Sequence, residues 1–270
     1  MVELTRIYNP EGSALRRDQK ELVRMLKVLA GICEENGLKW WLSSGSLLGA
    51  ARHKGFIPWD DDLDIVMMRK DYDKLVKILC DYQSDEFVFH CIRTDVDYTN
   101  MFGKFRKKKD PVESSDARSK YFKYQGVGMD VFYIEKSNRF ASHMAKFFYL
   151  NMGRPTQYIK NAPLRHFAIK VVQAINFGLL IPFCRLVGKI NPKNEYRISL
   201  GAGFYKFPYH KEDILPLSTI KFEGVEFPAP GNVDSYLTHL YGDWRKLPTD
   251  EQIRNSMHYP VYIKEIFGEE

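Results

Sequence analysis

Two short apolar segments, separated by a small turn and a run of aspartates, constrain the fold of this chain more than any other feature. Residues 38–42 are largely apolar, include two tryptophans and lead into Ser43-Ser44-Gly45-Ser46, which predicts a buried strand followed by a tight turn. Residues 47–52 suit a short helix. Residues 62–68 alternate Asp, Leu, Asp, Ile before they become apolar, which predicts a second strand that starts with carboxylates.

Periodic apolar patterns predict further helices and strands. Apolar residues recur at helical spacing over residues 18–36, where Gly37 is placed to end the helix and Asp18 with Glu21 suits a capping box at its start. Residues 71–82 suit a second amphipathic helix. We also predict strands at 86–93, 100–106 and 127–134, a hairpin at 220–227, a helix at 232–241 and an irregular cap from Trp244 onward.

Size and composition favour one catalytic unit. A chain of 270 residues can bury a sizeable core, and we predict a single domain over residues 1–270 with a helical insertion at about 140–190. The first residues lack an apolar stretch, so we expect a cytoplasmic protein. The four cysteines show no Cys-x-x-Cys spacing, which favours reduced thiols. A net charge of +6 favours anionic partners such as nucleotides, phosphorylated glycans or acidic lipid, and we expect no nucleic acid polymer.

Residues 142–190 differ in character from the rest, since they mix Lys, Arg and His with apolar side chains. The pattern predicts a helical segment. Its most apolar part, residues 175–184, is shorter than the roughly 18 to 20 residues of a membrane-spanning helix, and Pro182 interrupts it. We therefore expect a buried core helix, with a helix at the membrane interface as the alternative.

Asp62 and Asp64 are the strongest candidates for metal ligands. Residues two positions apart in a strand point to the same side, so both carboxylates face one way while Leu63 and Ile65 face the core. Like charges about 4 Å apart repel by about 4 kcal/mol at an effective dielectric near 20, so the pair needs a cation or a shared proton. Mg²⁺, or Mn²⁺, binds carboxylates together with substrate phosphates. The alternative, a solvated acidic turn, is less attractive because four of residues 60–64 are aspartates.

Two other positions complete the candidate site. Gly45 and Ser46 suit a phosphate cradle, because the backbone N–H groups at the start of a helix attract anions. Asp130 lies within an otherwise apolar strand, where an unpartnered carboxylate is costly. It is a candidate third metal ligand, or a base that accepts the proton of an acceptor hydroxyl. The alternative is a core aspartate that accepts hydrogen bonds from backbone amides.

Cationic residues close to these positions are candidates for phosphate contacts. Lys104 and Arg106 alternate within a predicted strand, which places both on one face. Arg52, with His53 and Lys54, lies between the predicted cradle and the aspartates. We expect Arg52 to approach the leaving phosphate. We also expect one of these three residues to have a structural role.

Residues 41–65 have the sequence WLSSGSLLGAARHKGFIPWDDDLDI, a run that resembles the signature of the LicD family of phosphocholine transferases. A second similarity lies near the end of the chain, in Phe227-Pro228-x-Pro230 and Tyr241-Gly242-Asp243-Trp244. Together with Asp130 the resemblance spans most of the chain and is weakest over residues 137–211.

The resemblance implies an α+β fold, with a nucleotidyltransferase-like mixed sheet flanked by helices. It also implies that Asp62, Asp64 and Asp130 are the catalytic metal ligands. Fukutin-related protein, a relative of this family, uses a CDP-linked alcohol. The implied donor is therefore CDP-choline or another CDP-alcohol, and the implied acceptor is a sugar hydroxyl of a surface glycan or its precursor, such as teichoic acid, lipopolysaccharide or capsule.

Two other functions stay open. The same site could direct attack at the α-phosphate, which would make the chain a nucleotidyltransferase. The chain could instead be a non-catalytic, membrane-associated binding module, although its intact aspartates argue against this. For the enzyme, we expect a cytoplasmic location. Whether it also contacts the inner face of the membrane is left open.

Overall fold

A mixed sheet of six strands forms the centre of the fold in the computed structural model, which describes residues 2–202 and 207–268. The strands are β1 (Trp40–Leu42), β2 (Asp64–Met68), β3 (Phe87–His90), β4 (Gly103–Pro111), β5 (Gly126–Lys136) and β6 (Tyr196–Ile198). Their order is β1-β2-β5-β4-β3, and β6 pairs with the end of β5. Only β2 and β5 are paired in parallel among these strands. A separate hairpin is formed by β7 (Ser218–Phe222) and β8 (Val225–Ala229).

Helices surround the sheet, which confirms the predicted α+β class. Those in the described part of the chain are α1 (Val2–Tyr8), α2 (Ala14–Glu35), α3 (Ser44–His53), α4 (Arg69–Asp81), α5 (Arg139–Phe148), α6 (Arg154–Thr156), α7 (Ala162–Ile175), α8 (Ile181–Gly188), α9 (Lys211–Ile214), α10 (Val233–Tyr241), α11 (Asp250–Ser256) and α12 (Pro260–Phe267). A 3-10 turn covers Ser119–Tyr121, and π-helical segments cover Tyr149–Gly153 and Asn176–Leu180.

The main core lies between the sheet and the helices α2 and α4, which both contact β5. Helix α2 contributes an apolar face at helical spacing that includes Leu22, Leu26 and Leu29, all at most 1% exposed. Helix α10 is tied to β1, because the Tyr236 hydroxyl accepts a hydrogen bond from Trp41 Nε1 at 3.3 Å and lies 2.7 Å from Ser43 Oγ. These contacts position the start of α3 beside the sheet.

Most predicted elements are confirmed, but the two ends of the chain differ from expectation. Helix α2 begins four residues earlier than predicted, because Ser13 caps it by accepting a hydrogen bond from the backbone N–H of Arg16. The predicted capping box at Asp18 is therefore wrong, and Asp18 instead accepts a hydrogen bond from Tyr262. The predicted irregular cap after Trp244 is also wrong, since α11 and α12 form there. The four cysteines are free thiols, as expected.

The predicted helical segment is present between β5 and β6, but it is not a buried core helix. Residues Ala162–Gly188 form one helical run of 27 residues, since the chain passes through Pro182 in the first turn of α8. By length and composition this run could cross a membrane, yet only 22% of its most apolar 18-residue stretch is buried inside the protein. Because the exposed side chains are large and apolar, the core prediction is wrong. The assignment of the chain to one domain with an insertion remains a prediction.

Candidate active site

Three neighbouring strands bring Asp64, Asp130 and Lys104 into one row. Strand β2 pairs in parallel with β5 so that Asp64 lies opposite Asp130, and β4 pairs antiparallel with β5 so that Lys104 also lies opposite Asp130. Side chains in register on neighbouring strands share a face of the sheet. The local sequence explains the arrangement, because the apolar residues that alternate with these three point to the core.

Asp62 completes an acidic cluster beside this row. It precedes β2 instead of lying within it, as the prediction had placed it, and its Oδ1 accepts a hydrogen bond from the N–H of Leu63. One carboxylate oxygen from each of Asp62, Asp64 and Asp130 lies within 4.8 Å of the others. Lys104 Nζ lies 2.6 Å from Asp130 Oδ1 and 4.0 Å from Asp62 Oδ2. The cluster therefore joins three carboxylates and one ammonium group.

Crowding and burial make the cluster resist full ionisation. Burial raises the pKa of Asp64, and the neighbouring charges of Asp62 and Asp130 raise it further. Burial likewise raises the pKa of Asp130 to about 7, although Lys104 works in the opposite direction. Asp60, which lies just before the cluster, has its pKa raised to about 8 by burial and by Asp61 and Asp62. Burial disfavours the ammonium of Lys104, but the carboxylates of Asp130 and Asp62 outweigh it and raise the pKa of that group.

The composition of the cluster fits a divalent metal ion. When ionised, three carboxylates and one ammonium carry a net charge of −2, which a divalent cation would balance. The ligands are all oxygens, which suits Mg²⁺ or Mn²⁺ better than a metal that prefers sulfur or nitrogen. Asp62, Asp64 and Asp130 are therefore the residues that could hold a metal here.

The start of α3 faces the same cavity as the acidic cluster. Ser44 and Gly45 line that cavity, and Ser44 adopts a left-handed backbone conformation with φ of 47°. A Cβ atom at Gly45 would lie 2.5 Å from Asp60 Oδ2, so glycine permits this close approach. Ser46 points inward, where its hydroxyl accepts a hydrogen bond from the N–H of Asp64 at 2.8 Å. Ser46 thus positions the start of β2, and its phosphate contact remains a prediction.

The predicted cationic residues are divided between two cavities. Lys104 and Arg106 line the cavity of the acidic cluster, where Arg106 also donates a hydrogen bond to the backbone carbonyl of Gly126 at 2.7 Å. Arg52 lines an adjacent cavity of about 560 Å³ and donates hydrogen bonds to the carbonyls of Trp244 and Lys246. The two cavities share Gly45, Asp60 and Tyr241.

Residues near the end of the chain close one side of the site. The buried carboxylate of Asp61 accepts hydrogen bonds from the backbone N–H groups of His258 at 2.7 Å and Tyr259 at 3.0 Å. It also lies 2.9 Å from Nδ1 of the His258 ring. This contact raises the pKa of His258 to about 10, so the ring is a cation at neutral pH. Asp61 therefore holds the segment before α12 against the acidic cluster.

Several cavity residues were not predicted from sequence. The cavity has a volume of about 510 Å³, and the unpredicted polar and aromatic residues that line it include Asn100, Asp116, Arg118, Phe122, His258 and Tyr259. Their positions in the sequence are far from the aspartate run, and no local motif marks them. Tyr241 also lines the cavity, and its place in the Tyr-Gly-Asp-Trp motif was the only sequence signal for it.

A family model matches residues 37–174, and its description is LicD/FKTN/FKRP, nucleotidyltransferase domain. The chain therefore belongs to this family, in agreement with the mixed sheet and the acidic cluster. It is a member of the LicD-type family of transferases.

Two relatives show how far the similarity extends. The lipopolysaccharide cholinephosphotransferase LicD of Haemophilus influenzae is 26% identical over 271 residues, which cover 94% of this chain and 97% of that protein. The human ribitol 5-phosphate transferase FKRP is 47% identical over 45 residues, which cover 17% of this chain and 9% of that protein. The first similarity covers nearly the whole chain at moderate sequence identity, whereas the second covers a short segment at higher identity.

Proposed function

We propose that the chain transfers a phospho-alcohol, with phosphocholine as the first candidate, from a CDP-linked donor to a sugar hydroxyl of a surface glycan or its precursor. The observation that carries this proposal is the cluster of Asp62, Asp64 and Asp130 beside Lys104 in a cavity large enough for a nucleotide diphosphate. The name of the Haemophilus relative, which covers nearly the whole chain, supports phosphocholine and a lipopolysaccharide acceptor.

Each part of the site has a proposed role in this reaction. Asp62, Asp64 and Asp130 hold Mg²⁺ or Mn²⁺, which supplies charge neutralisation for the phosphate oxygens. Lys104 and Arg106 hold the diphosphate, and the N–H groups at Gly45 and Ser46 attract its charge at the start of α3. Arg52 lies in the adjacent cavity, and it is the candidate for a contact with the leaving phosphate. Asp130 accepts the proton of the acceptor hydroxyl as that oxygen attacks phosphorus and CMP departs.

The partners follow from these roles. The donor is CDP-choline or another CDP-alcohol, the acceptor is a glycan, and a nucleic acid polymer is not among the expected ligands. We propose a cytoplasmic location, since a CDP-linked donor is a soluble nucleotide.

The decisive experiment combines CDP-choline, purified lipopolysaccharide and Mg²⁺ with the full chain, and measures CMP by chromatography and the acceptor by mass spectrometry. We expect CMP release and an acceptor that gains phosphocholine. Asp64→Asn should lower the rate by about 10²-fold or more, because it removes a charged ligand from the transition-state site. Asp73→Asn is the matched control, since Asp73 pairs with Arg69 on the exposed surface of α4 and should leave the rate unchanged.

Nucleotidyl transfer is a second candidate, because the family description names a nucleotidyltransferase domain. The same reaction mixture separates the two. If the acceptor gains CMP instead of phosphocholine, the activity is nucleotidyl transfer and the phospho-alcohol transfer proposed above is wrong. A non-catalytic role would be indicated if Asp64→Asn, folded by circular dichroism, performed as well as the wild type in cells.

A further inference from the structure

The helical run Ala162–Gly188 carries an apolar face that no part of the described chain covers. Most of its exposed large apolar residues, together with Ile190, recur at spacings of three or four and form one stripe, which consists of Leu164, Phe167, Val171, Ile175, Leu179, Phe183, Leu186 and Ile190. Phe177 is exposed as well but does not follow this spacing. Their exposed fractions range from 39% for Ile175 to 74% for Ile190. A contiguous exposed apolar face of this length marks an interaction surface.

The opposite face of the same run is fixed to the protein. Arg165 is buried, and its Nε lies 2.7 Å from Oδ1 of Asp97. Ile181 and Cys184 are fully buried in a small cluster with Tyr149. Because one face packs on the domain along the whole run, the helix lies on the surface of the protein, and its stripe faces outward.

The charge of this region identifies the class of partner. Between Ser137 and Asn194 the sequence contains no Asp or Glu, although the chain as a whole contains 34. The same region contains nine Lys and Arg residues, namely Arg139, Lys146, Arg154, Lys160, Arg165, Lys170, Arg185, Lys189 and Lys193. Two of them form ion pairs with the rest of the protein, Arg165 with Asp97 and Arg185 with Glu135. Lys160, Lys170 and Lys189 are exposed. An apolar stripe accompanied by exposed lysines matches the surface of a membrane that contains anionic lipid.

A second helix extends the same surface. Helix α5 contacts α8, and it exposes Phe140 and Phe147 to 68% and 61%. Arg139 lies next to Phe140 and is also exposed. The apolar and cationic character therefore continues beyond the stripe, as expected for a broad surface that meets a bilayer.

We propose that this surface docks on an anionic membrane, with the helical run lying in the plane of the interface. The helices that carry this surface contact the active site on their inner side, because Arg118 lines the cavity and donates a hydrogen bond at 2.9 Å to the hydroxyl of buried Tyr149, between α5 and α6. Docking thus holds the catalytic cavity close to the membrane surface. The proposal does not depend on which group the enzyme transfers.

The test is flotation of the full chain with vesicles of equal phosphatidylglycerol and phosphatidylcholine, compared with vesicles of phosphatidylcholine alone. We expect binding to the anionic vesicles that weakens as salt is raised, because salt screens the attraction. The triple variant Phe167→Ser, Leu179→Ser, Phe183→Ser should lower the vesicle affinity about 100-fold or more, since three apolar side chains no longer enter the interface. Its fold is checked by thermal unfolding. The control is Ile7→Ser with Val261→Ser, which changes exposed apolar residues outside the surface.

A second pair of variants tests the charges without touching an apolar side chain. Lys170→Glu with Lys189→Glu should weaken binding to anionic vesicles about tenfold or more, whereas Lys74→Glu with Lys77→Glu on α4 should not. Failure of the wild type to float, or equal binding by both charge variants, would overturn the proposal. So would binding that resists alkaline carbonate, which would indicate a spanning helix, or a stripe-dependent dimer that ignores vesicles, which would indicate a second copy as the partner.

Discussion

Burial raises the pKa of carboxyl groups within and beside the acidic cluster. An unfolded aspartate has a pKa of about 3.9, whereas burial raises those of Asp130 and Asp60 to about 7 and about 8. The metal-free folded protein therefore binds more protons than the unfolded chain between these values. Its stability from these groups is fully present below about pH 4 and is lost as the pH rises through about 7 to 8.

This linkage predicts a pH-dependent stabilisation by metal. Mg²⁺ competes with protons for the carboxylates, so it should raise the melting temperature more at pH 8.5 than at pH 6.0, relative to EDTA. At about 100 times the dissociation constant the gain is about 2.7 kcal/mol, or roughly 5–10 °C for a domain of this size. Differential scanning fluorimetry measures it.

The matched variant for this measurement is Asp64→Asn. It removes one crowded charge, so it should raise the melting temperature of the metal-free protein at pH 8.5 and abolish most of the response to Mg²⁺. A variant that responds to Mg²⁺ as strongly as the wild type would show that the ion binds elsewhere.

At the scale of secondary-structure elements, α3 packs very closely against the segment that follows it. A Cβ atom at Gly49 would lie 2.4 Å from the carbonyl oxygen of Gly55 and 2.9 Å from the N of Ile57. Both are backbone atoms, which cannot move aside as a flexible side chain would. Gly49 therefore allows α3 to pack against the chain that leads to the aspartate run.

Two glycine substitutions test this packing. Gly49→Ala should destabilise the protein by about 1–3 kcal/mol, because the methyl group overpacks a rigid contact. Gly31→Ala is the matched control within α2, where a Cβ would meet no atom within 4 Å, and it should stabilise by about 0.5–1 kcal/mol. Urea unfolding gives both values, and opposite signs are the expected result. Equal effects would show that α3 can shift.

The elements also show what the sequence could and could not predict. Alternation at the start of β2 and the apolar run of β5 were sufficient to predict strands near Asp64 and Asp130, because both patterns are local. The exposure of α7 and α8 was not predictable, since an apolar stripe has the same helical spacing whether it meets a core or a membrane. The capping of α2 was misjudged because Ser13 precedes the apolar pattern by several residues.

At the scale of the whole molecule, Asp61 links the aspartate run to the segment before α12 by hydrogen bonds. Asp61→Ala would leave the backbone N–H groups of His258 and Tyr259 without their acceptor, and we expect a loss of about 2–5 kcal/mol. Limited proteolysis with mass spectrometry should then show earlier cleavage at α11 and α12. Asp85→Ala, at an exposed position, is the control. Unchanged cleavage at both helices would contradict the assigned role of Asp61.

Long-range contacts of this kind explain which part of the site escaped prediction. Asp62, Asp64 and Asp130 could be nominated because carboxylates within or directly beside apolar strands are unusual wherever they occur. His258 and Tyr259 could not, because only the folded chain brings them beside Asp61. The pairing of Lys104 with Asp130 depended on strand register, which local patterns do not fix.

The bond between Asp61 and the segment before α12 spans 197 positions, which has a consequence for the order of events during synthesis. At about 5–20 residues per second, a ribosome needs roughly 10–40 s to add the residues between them. Until then the aspartate run of the nascent chain lacks its contacts with the segment before α12. The enzyme is therefore expected to gain activity only after the chain has emerged through α12, which delays catalysis until translation of this region is complete.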